Sequence, residues 1–255
     1  MAHSTDATHG GRPAPLAEPA PLAEPAAGAP DTRPAGRIRS VNLADHKVAN
    51  PHKPETGGTG IHKLPVDRPV WVDVPRPKNS GPGQSGLAGD VICDIAHHGG
   101  PAQAVYAYAR EDLDWWEREL GRDLPDGMFG ENLTTEGLDL TGAVIGERWR
   151  FGSGLVLEAT QPRVPCVTFA VKMGVEHWTK RFTQRGVTGV YLKVVTPGEA
   201  VQGDRVEVVD RPDHAVTVGL FFRATTIERE RLPELLPARE YLPPKTLAAV
   251  LGATG

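Results

Sequence analysis

The chain has little of several features that would place it in a large class of proteins. It has only two cysteines, Cys93 and Cys166, in 255 residues, too few for the disulfide framework of a small secreted domain. The formal net charge is −4 and no Lys/Arg stripe stands out, so we expect no nucleic acid polymer as partner. No apolar run approaches the ~20 residues that span a bilayer, and no secretion signal is recognisable. We therefore expect a protein of the reducing cytoplasm without a membrane partner.

Glycine and proline are abundant, with 29 and 24 residues, and the prolines are unevenly spread. The first 35 or so residues are dominated by Ala, Pro and Glu and include the near-duplicates Ala14-Pro-Leu-Ala-Glu-Pro19 and Ala20-Pro-Leu-Ala-Glu-Pro25. Such a segment cannot bury enough apolar area to offset its ordering entropy. The composition predicts a disordered tail over residues 1–36. The pattern of the rest of the chain, described next, predicts a β-barrel domain over 37–212 and a short helical C-terminal extension over 213–255.

Short alternating segments between Gly/Pro turns predict a mainly β fold with some α. The predicted strands are residues 37–43, 70–74, 145–151, 155–160, 190–195 and 205–209. The clearest helix is residues 111–120, because Leu113, Trp116 and Leu120 fall at i, i+3 and i+7 and a glycine follows. Many short strands with few helices favour a closed β-barrel with peripheral helices. No Gly-x-Gly-x-x-Gly run points to a dinucleotide fold.

Cys166 is the first candidate for chemistry. An arbitrary free cysteine is most often a small buried apolar side chain. Here Pro162 and Pro165 cannot extend a β ladder, so a strand ends and the backbone is stiffened around the thiol. Arg163 adds a permanent positive charge that would favour the thiolate and could bind an anion. A stiff, cationic, partly exposed cysteine suits a nucleophile or a soft metal ligand.

The segment His97-His98-Gly99-Gly100 is a second candidate. Adjacent histidines point in different directions, so they are a poor pair for one zinc ion. The glycines allow the backbone to approach a ligand, with His98 supplying a hydrogen bond. A turn with one histidine packed beneath it is the alternative.

Two further segments carry weaker signals. In Gly127–Thr134, Gly130 allows close backbone approach, and Asn132 and Thr134 would share one side if the chain is extended; a loop before a strand is the alternative. In Arg185–Tyr191, a cation and the glycines Gly186 and Gly189 precede a strand, a layout that could hold a phosphate by its amides.

Taken in order, these segments resemble the MOSC domain family (molybdenum cofactor sulfurase C-terminal-like), and within it the bacterial branch that includes the YiiM proteins. Phe129-Gly-Glu-Asn-Leu133 and Gln161-Pro-Arg-Val-Pro-Cys166 are the specific motifs, and the likeness runs from about Gly60 to Val209. Cys93 departs from the family motif.

The resemblance implies a molybdenum cofactor, Mo-molybdopterin, whose metal binds the Cys166 thiolate. Arg163, Arg185 and the amides near Gly186 and Gly189 would hold the pterin phosphate. Asn132 and His98 would bond to the pterin or to oxygen at the metal. The full set of cofactor-binding residues is then Cys166, Arg163, Asn132, His98, Gly99, Gly130, Thr134, Arg185 and Gly189.

The resemblance also implies an oxidoreductase acting on N–O bonds, with Cys166 and His98 as catalytic residues. Its substrates would be N-hydroxylaminopurines, hydroxylamines and amidoximes. The chain has no recognisable flavin, NAD or iron–sulfur motif, so an external flavin or iron–sulfur reductase would supply electrons. Two alternatives use the same cysteine without turnover: a carrier of persulfide sulfur, and an escort of the cofactor. Exposed strand edges would be compatible with a homodimer.

Overall fold

A computed structural model of the chain describes residues 36–254. The predicted disordered tail thus lies outside the described residues, apart from Gly36. The strands in the described part are β1 (Gly36–Leu43), β2 (Leu64–Val66), β3 (Val70–Val72), β4 (Val105–Ala109), β5 (Leu133–Glu136), β6 (Arg148–Phe151), β7 (Val156–Pro162), β8 (Val190–Thr196), β9 (Gly198–Ala200) and β10 (Arg205–Asp210). The α-helices are α1 (Arg110–Leu120), α2 (Val167–Met173), α3 (Trp178–Arg185), α4 (Val218–Thr226) and α5 (Pro244–Thr254), and 3₁₀ helices cover Pro54–Thr56, Pro101–Gln103 and Arg229–Ala238.

Seven strands close into a barrel. Their order is β1, β10, β6, β7, β8, β4 and β5, and β5 pairs again with β1. The pairs around this ring are antiparallel except for β4 and β5, which are parallel. A parallel pair needs a long crossover connection, and here that connection carries α1. The prediction of a mainly β, closed barrel with peripheral helices is confirmed.

Two short pairings lie outside the ring. Strand β2 pairs with the C-terminal half of β1, and β3 pairs with β9 as a separate two-stranded sheet. The first strand and α1 match their predictions to within one residue, whereas the predicted strand over residues 70–74 ends at Val72. Strand β9 was not predicted, because it begins at the glycine of the turn Thr196-Pro-Gly198 and its three residues are too few to show an alternating pattern.

The core has two parts. The barrel interior is filled by aliphatic side chains such as Ile38, Ala107, Leu157 and Leu192. A second, aromatic cluster lies between the barrel wall and helices α1 to α3, and its largest members are Tyr108, Trp116, Phe129, Phe169, Trp178 and Phe182. This aromatic cluster, defined by those six residues, supports one wall of the site described below.

The C-terminal helices pack into the barrel core. Phe221 of α4, Leu235 of the last 3₁₀ helix and Val250 of α5 are buried in the same cluster as the barrel strands. None of the helices within residues 36–254 combines the length and apolar character needed to cross a bilayer.

Candidate functional site

A cavity of about 710 Å³, including the solvent at its mouth, forms where four loop segments meet beside β4 and β8. The segments are residues 58–63, 90–103, 130–132 and 163–168. Six of the predicted site residues line it: His98, Gly99, Gly130, Asn132, Arg163 and Cys166.

Cys166 lies between β7 and α2. Strand β7 ends at Pro162, which pairs with Val190 of β8, and Pro165 directly precedes the cysteine. The carbonyl of Cys166 accepts the N–H of Ala170 at 3.0 Å as α2 begins. The cysteine is free and partly exposed, so its thiol lines the cavity without a covalent partner.

Arg163 forms a fixed cationic part of the cavity wall. Its side chain is buried, and the guanidinium lies 4.1 Å from the ring centre of Phe169 and 4.9 Å from that of Tyr106. Contacts of this kind stabilise a buried cation. One guanidinium nitrogen donates to the Phe129 carbonyl, whereas Nε has no hydrogen-bond partner among residues 36–254.

The Phe129 carbonyl is held in place by Glu131, which sequence reasoning did not select. The Glu131 carboxylate accepts the N–H groups of Gly127 at 2.6 Å and Phe129 at 2.9 Å. It also accepts the hydroxyl of Thr134 at 3.0 Å. The carboxylate is fully buried, and this burial raises its pKa against the opposing effect of the amide hydrogen bonds. Glu131 therefore shapes the loop that supports Arg163.

Asn132 joins two walls of the cavity. Its Oδ1 accepts the N–H of Tyr106 at 3.2 Å, and its Nδ2 donates to Asp90 at 3.0 Å. Asp90 is itself buried and forms an ion pair with Lys63. The Asn132 amide is thus engaged within the protein, and its contact with a cofactor remains a prediction.

His98 lines the cavity as a neutral imidazole. Burial, together with the positive charge of Arg163, lowers the pKa of His98 to about 4. Asp94 fixes the loop, because its carbonyl accepts the His98 N–H at 3.0 Å. Its carboxylate bonds to Lys53 at 2.9 Å and His97 at 2.8 Å. Burial alone would raise the pKa of Asp94, because it disfavours the charged form. The hydrogen bonds to the carboxylate have the larger effect and lower the pKa of Asp94 to about 2.

Gly99 is needed for the packing of the protein's own chain. Its φ is 75°, in the left-handed region, and a Cβ there would lie 2.6 Å from the carbonyl oxygen of Gln84. We expected this glycine to let the backbone approach a ligand. The structure shows a close approach between two loops, and Gly99 also lines the cavity, so its contact with a cofactor stays a prediction.

Three predicted site residues do not line the cavity. Thr134 is fully buried and bonds to Glu131 and Asn42. Asn132 precedes the first residue of β5, so the alternation that would place it and Thr134 on one side does not apply. Gly189 packs against the Ala107 carbonyl inside the barrel wall.

Arg185 is the third. Its guanidinium lies 3.9 Å from the ring centre of Trp115 and 3.7 Å from Asp112, both on α1. Arg185 is the last residue of α3, and residues 186–189 connect it to β8. The described structure thus assigns Arg185 to helix packing.

Several cavity residues were not selected from the sequence. They include Cys93, Gln103, Tyr106, Tyr191 and Lys63. Cys93 was noted only as a departure from the motif. Gln103 could have been identified from the sequence by its position, because it lies five residues after His98 in the same glycine-rich segment.

A protein-family model described as the MOSC domain matches residues 94–207. YflK of Bacillus subtilis (strain 168) is 36% identical over 160 residues, which cover 63% of this chain and 67% of YflK. This chain belongs to the MOSC domain family. The MOSC relatives include YiiM of Escherichia coli (strain K12), 29% identical over 161 residues that cover 62% of this chain and 67% of YiiM.

A protein of Gibberella moniliformis named "Reductase" is 29% identical to this MOSC protein over 157 residues, which cover 60% of this chain but only 26% of that protein. The crystal structure of YiiM from Geobacillus stearothermophilus has a TM-score of 0.67 at 23% identity and covers 86% of this chain and 100% of that one. YiiM from Escherichia coli has a TM-score of 0.59 at 21% identity, covering 85% and 91%. These structures share the MOSC barrel fold described above.

Proposed function

We propose that this MOSC protein binds a molybdenum cofactor in the cavity and reduces N-hydroxylated substrates there. The observation that carries the proposal is the position of Cys166, a free, partly exposed thiol that lines the same cavity as Arg163 and His98. Thiolate is a soft donor suited to such a metal. A relative named "Reductase" supports an oxidoreductase activity.

The cavity residues fit a cofactor with a metal and a polar ring system. Two buried polar atoms of cavity-lining residues, Nε of Arg163 and Oε1 of Gln103, have no hydrogen-bond partner among residues 36–254. Buried polar atoms are rarely left unpaired, so each is a candidate for a bond to a bound group. Of the predicted phosphate partners, only Arg163 lies at the cavity.

Each side chain has a role that follows from its contacts. When bound, the cofactor supplies two-electron redox chemistry at its metal. Cys166 would bind that metal, and Arg163, held by Phe129 and two aromatic rings, would hold an anionic or carbonyl-bearing part. His98 is neutral at pH 7, so it can donate one hydrogen bond and accept another at the reacting N–O group.

Electrons would come from outside the chain. We propose an external flavin or iron–sulfur reductase as the donor, because the sequence carries no recognisable motif for a second redox group. The reducing cytoplasm as its location, and a homodimer as its assembly, are further parts of this proposal.

The test compares the two cysteines that line the cavity. In protein made in a molybdenum-replete host, we expect stoichiometric molybdenum in the wild type and in Cys93→Ala, and its loss in Cys166→Ala. Cys93 is the matched control because it is the same residue type at the same cavity. The loaded wild type should then reduce N-hydroxylaminopurine with an artificial reductant.

Two results would count against the proposal. A metal-free wild type with sulfane sulfur on Cys166 would indicate the sulfur-carrier function instead. Bound molybdenum with no turnover of any compound in a broad N-hydroxy panel would indicate a cofactor escort.

A further inference from the structure

Gln103 has an unpaired amide oxygen at the candidate site. Its side chain lines the same cavity as Cys166 and His98, and Oε1 is buried with no hydrogen-bond partner in the described part of the chain. A folded protein loses stability when it buries an acceptor without a donor. Such an atom beside a cavity therefore indicates a ligand that supplies the missing donor.

The backbone beside Gln103 is fixed. Gln103 ends the 3₁₀ helix Pro101–Gln103, and its N–H donates to the Gly100 carbonyl at 2.9 Å. The Thr160 hydroxyl lies 2.7 Å from the carbonyl oxygen of Ala102 and 2.8 Å from that of Tyr191. These contacts tie the turn to β7 and β8. The carboxamide is thus presented from a rigid support, as a selective contact requires.

The neighbouring polar groups define what the ligand must offer. Arg163 Nε is a buried donor with no partner in residues 36–254, and Gln103 Oε1 is a buried acceptor. Arg163 is assigned above to the cofactor, so the substrate must supply a donor for Gln103 Oε1, and the hydroxyl of an N-hydroxylated amidine or purine is such a donor. Gln103 follows His98 in one cavity-lining segment, whereas Arg163 belongs to the segment of the proposed metal ligand.

We propose that Gln103 is a specificity-determining residue whose amide oxygen accepts a hydrogen bond from the N–OH group of the substrate. The inference rests on the proposed reduction of N-hydroxylated compounds and deepens it. Gln103 selects substrates with a free hydroxyl on nitrogen over the corresponding O-alkyl ethers. A site built around such a bond discriminates strongly against a ligand that lacks it.

The test is a binding cycle on the molybdenum-loaded protein without reductant, so that no turnover occurs. Isothermal titration measures the Kd of benzamidoxime and of its O-methyl ether. For the wild type we expect benzamidoxime to bind more tightly than the ether. In Gln103→Leu, benzamidoxime should bind about five- to tenfold more weakly, the loss expected for one neutral hydrogen bond, while the ether changes little.

Two variants make the cycle specific. Gln103→Glu keeps an acceptor at the same place and should keep the preference for benzamidoxime. Gln184→Leu replaces an exposed glutamine on α3, outside the cavity, and should match the wild type with both ligands. A second readout needs no ligand: in the metal-free protein, Gln103→Leu removes the unpaired oxygen, so its Tm should rise by about 2–4 °C.

The outcomes separate this inference from the proposed function. Equal preference for benzamidoxime in the wild type and in Gln103→Leu would overturn the role of Gln103 alone. Loss of molybdenum from Gln103→Leu would assign the residue to the cofactor and also overturn it. A loaded wild type that binds neither compound would overturn the proposed substrate class, and the Gln103 inference with it.

Discussion

Side chains around the cavity have charge states that the fold has shifted or fixed. The pKa of His98 is lowered to about 4 by burial and by the charge of Arg163. The pKa of Asp94 is lowered to about 2, since Lys53 and His97 donate to its carboxylate. At pH 7 the cavity wall therefore combines a neutral imidazole with a fixed guanidinium and a fixed carboxylate.

The low pKa of His98 predicts a specific loss of stability in acid. The ordinary histidine pKa is about 6.5, above the folded value of about 4. As pH falls through that window, the unfolded chain binds a proton that folded His98 does not, so the free energy of unfolding decreases. The contribution is fully present above about pH 6.5 and is lost towards pH 4, by up to about 3 kcal/mol.

Substitution of His98 by glutamine removes this titration. Urea denaturation of the metal-free protein at pH 7 and pH 4 should show a smaller acid-induced loss for His98→Gln than for the wild type. His52→Gln, at an exposed histidine, serves as the control and should follow the wild type at both pH values. Identical pH dependence in the wild type and His98→Gln would show that His98 titrates normally.

The sequence revealed residues whose chemistry is evident from their type and neighbours. Cys166 between prolines, Arg163 beside it and His98 before two glycines were found in this way, and all three line the cavity. The role of Asn132 was harder to predict because it depends on Asp90, a residue 42 positions earlier. The surroundings of Arg185 could not be predicted locally, because they are set by α1, far away in sequence.

At the level of elements, the loop over residues 127–131 supports the site through one buried carboxylate. Glu131 accepts the N–H groups of Gly127 and Phe129, and Phe129 in turn accepts a hydrogen bond from Arg163. Glutamine has the same shape, but one of its two terminal atoms is a donor and would face an amide N–H. The loop would then contain an unpaired donor.

We predict that Glu131→Gln lowers the free energy of unfolding by about 2 kcal/mol, the cost of leaving a buried donor without an acceptor. Urea denaturation at pH 7 measures the change. Glu176→Gln is the control, because Glu176 is exposed and its ion pair with His177 is equally exposed, so we expect a change below about 0.5 kcal/mol. Equal stability of Glu131→Gln and the wild type would contradict the supporting role of the carboxylate.

Some secondary-structure elements could be predicted from the local sequence pattern, and others could not. Five of the seven barrel strands and α1 have clear periodicity and were predicted, whereas β4 and β5 were not. Helix α2 contains Val167, Thr168 and Val171, β-branched residues that disfavour a helix. It forms because Phe169 and Met173 on its other face are buried in the aromatic cluster. That burial depends on packing against α1 and α3, so α2 cannot be predicted from its own residues.

At the scale of the whole molecule, the C-terminal helices and the barrel share one core. The predicted domain boundary between residues 212 and 213 separates segments that pack together. Phe221, Leu235 and Val250 lie beyond it and are buried with the barrel residues. Removal of these side chains would expose the apolar surface of the barrel that they cover.

We therefore predict that a chain lacking residues 213–255 does not unfold cooperatively and exposes apolar surface to the dye ANS. A chain lacking only residues 251–255 is the matched control, since residues 251–254 are exposed, and it should keep one cooperative transition near the wild-type Tm. Circular dichroism melts and ANS fluorescence of the three chains measure the difference. Because the helices and barrel bury one continuous core, neither part should hold its packing alone; a 213–255 deletion that melts cooperatively at the wild-type Tm would show that the barrel is an independent domain.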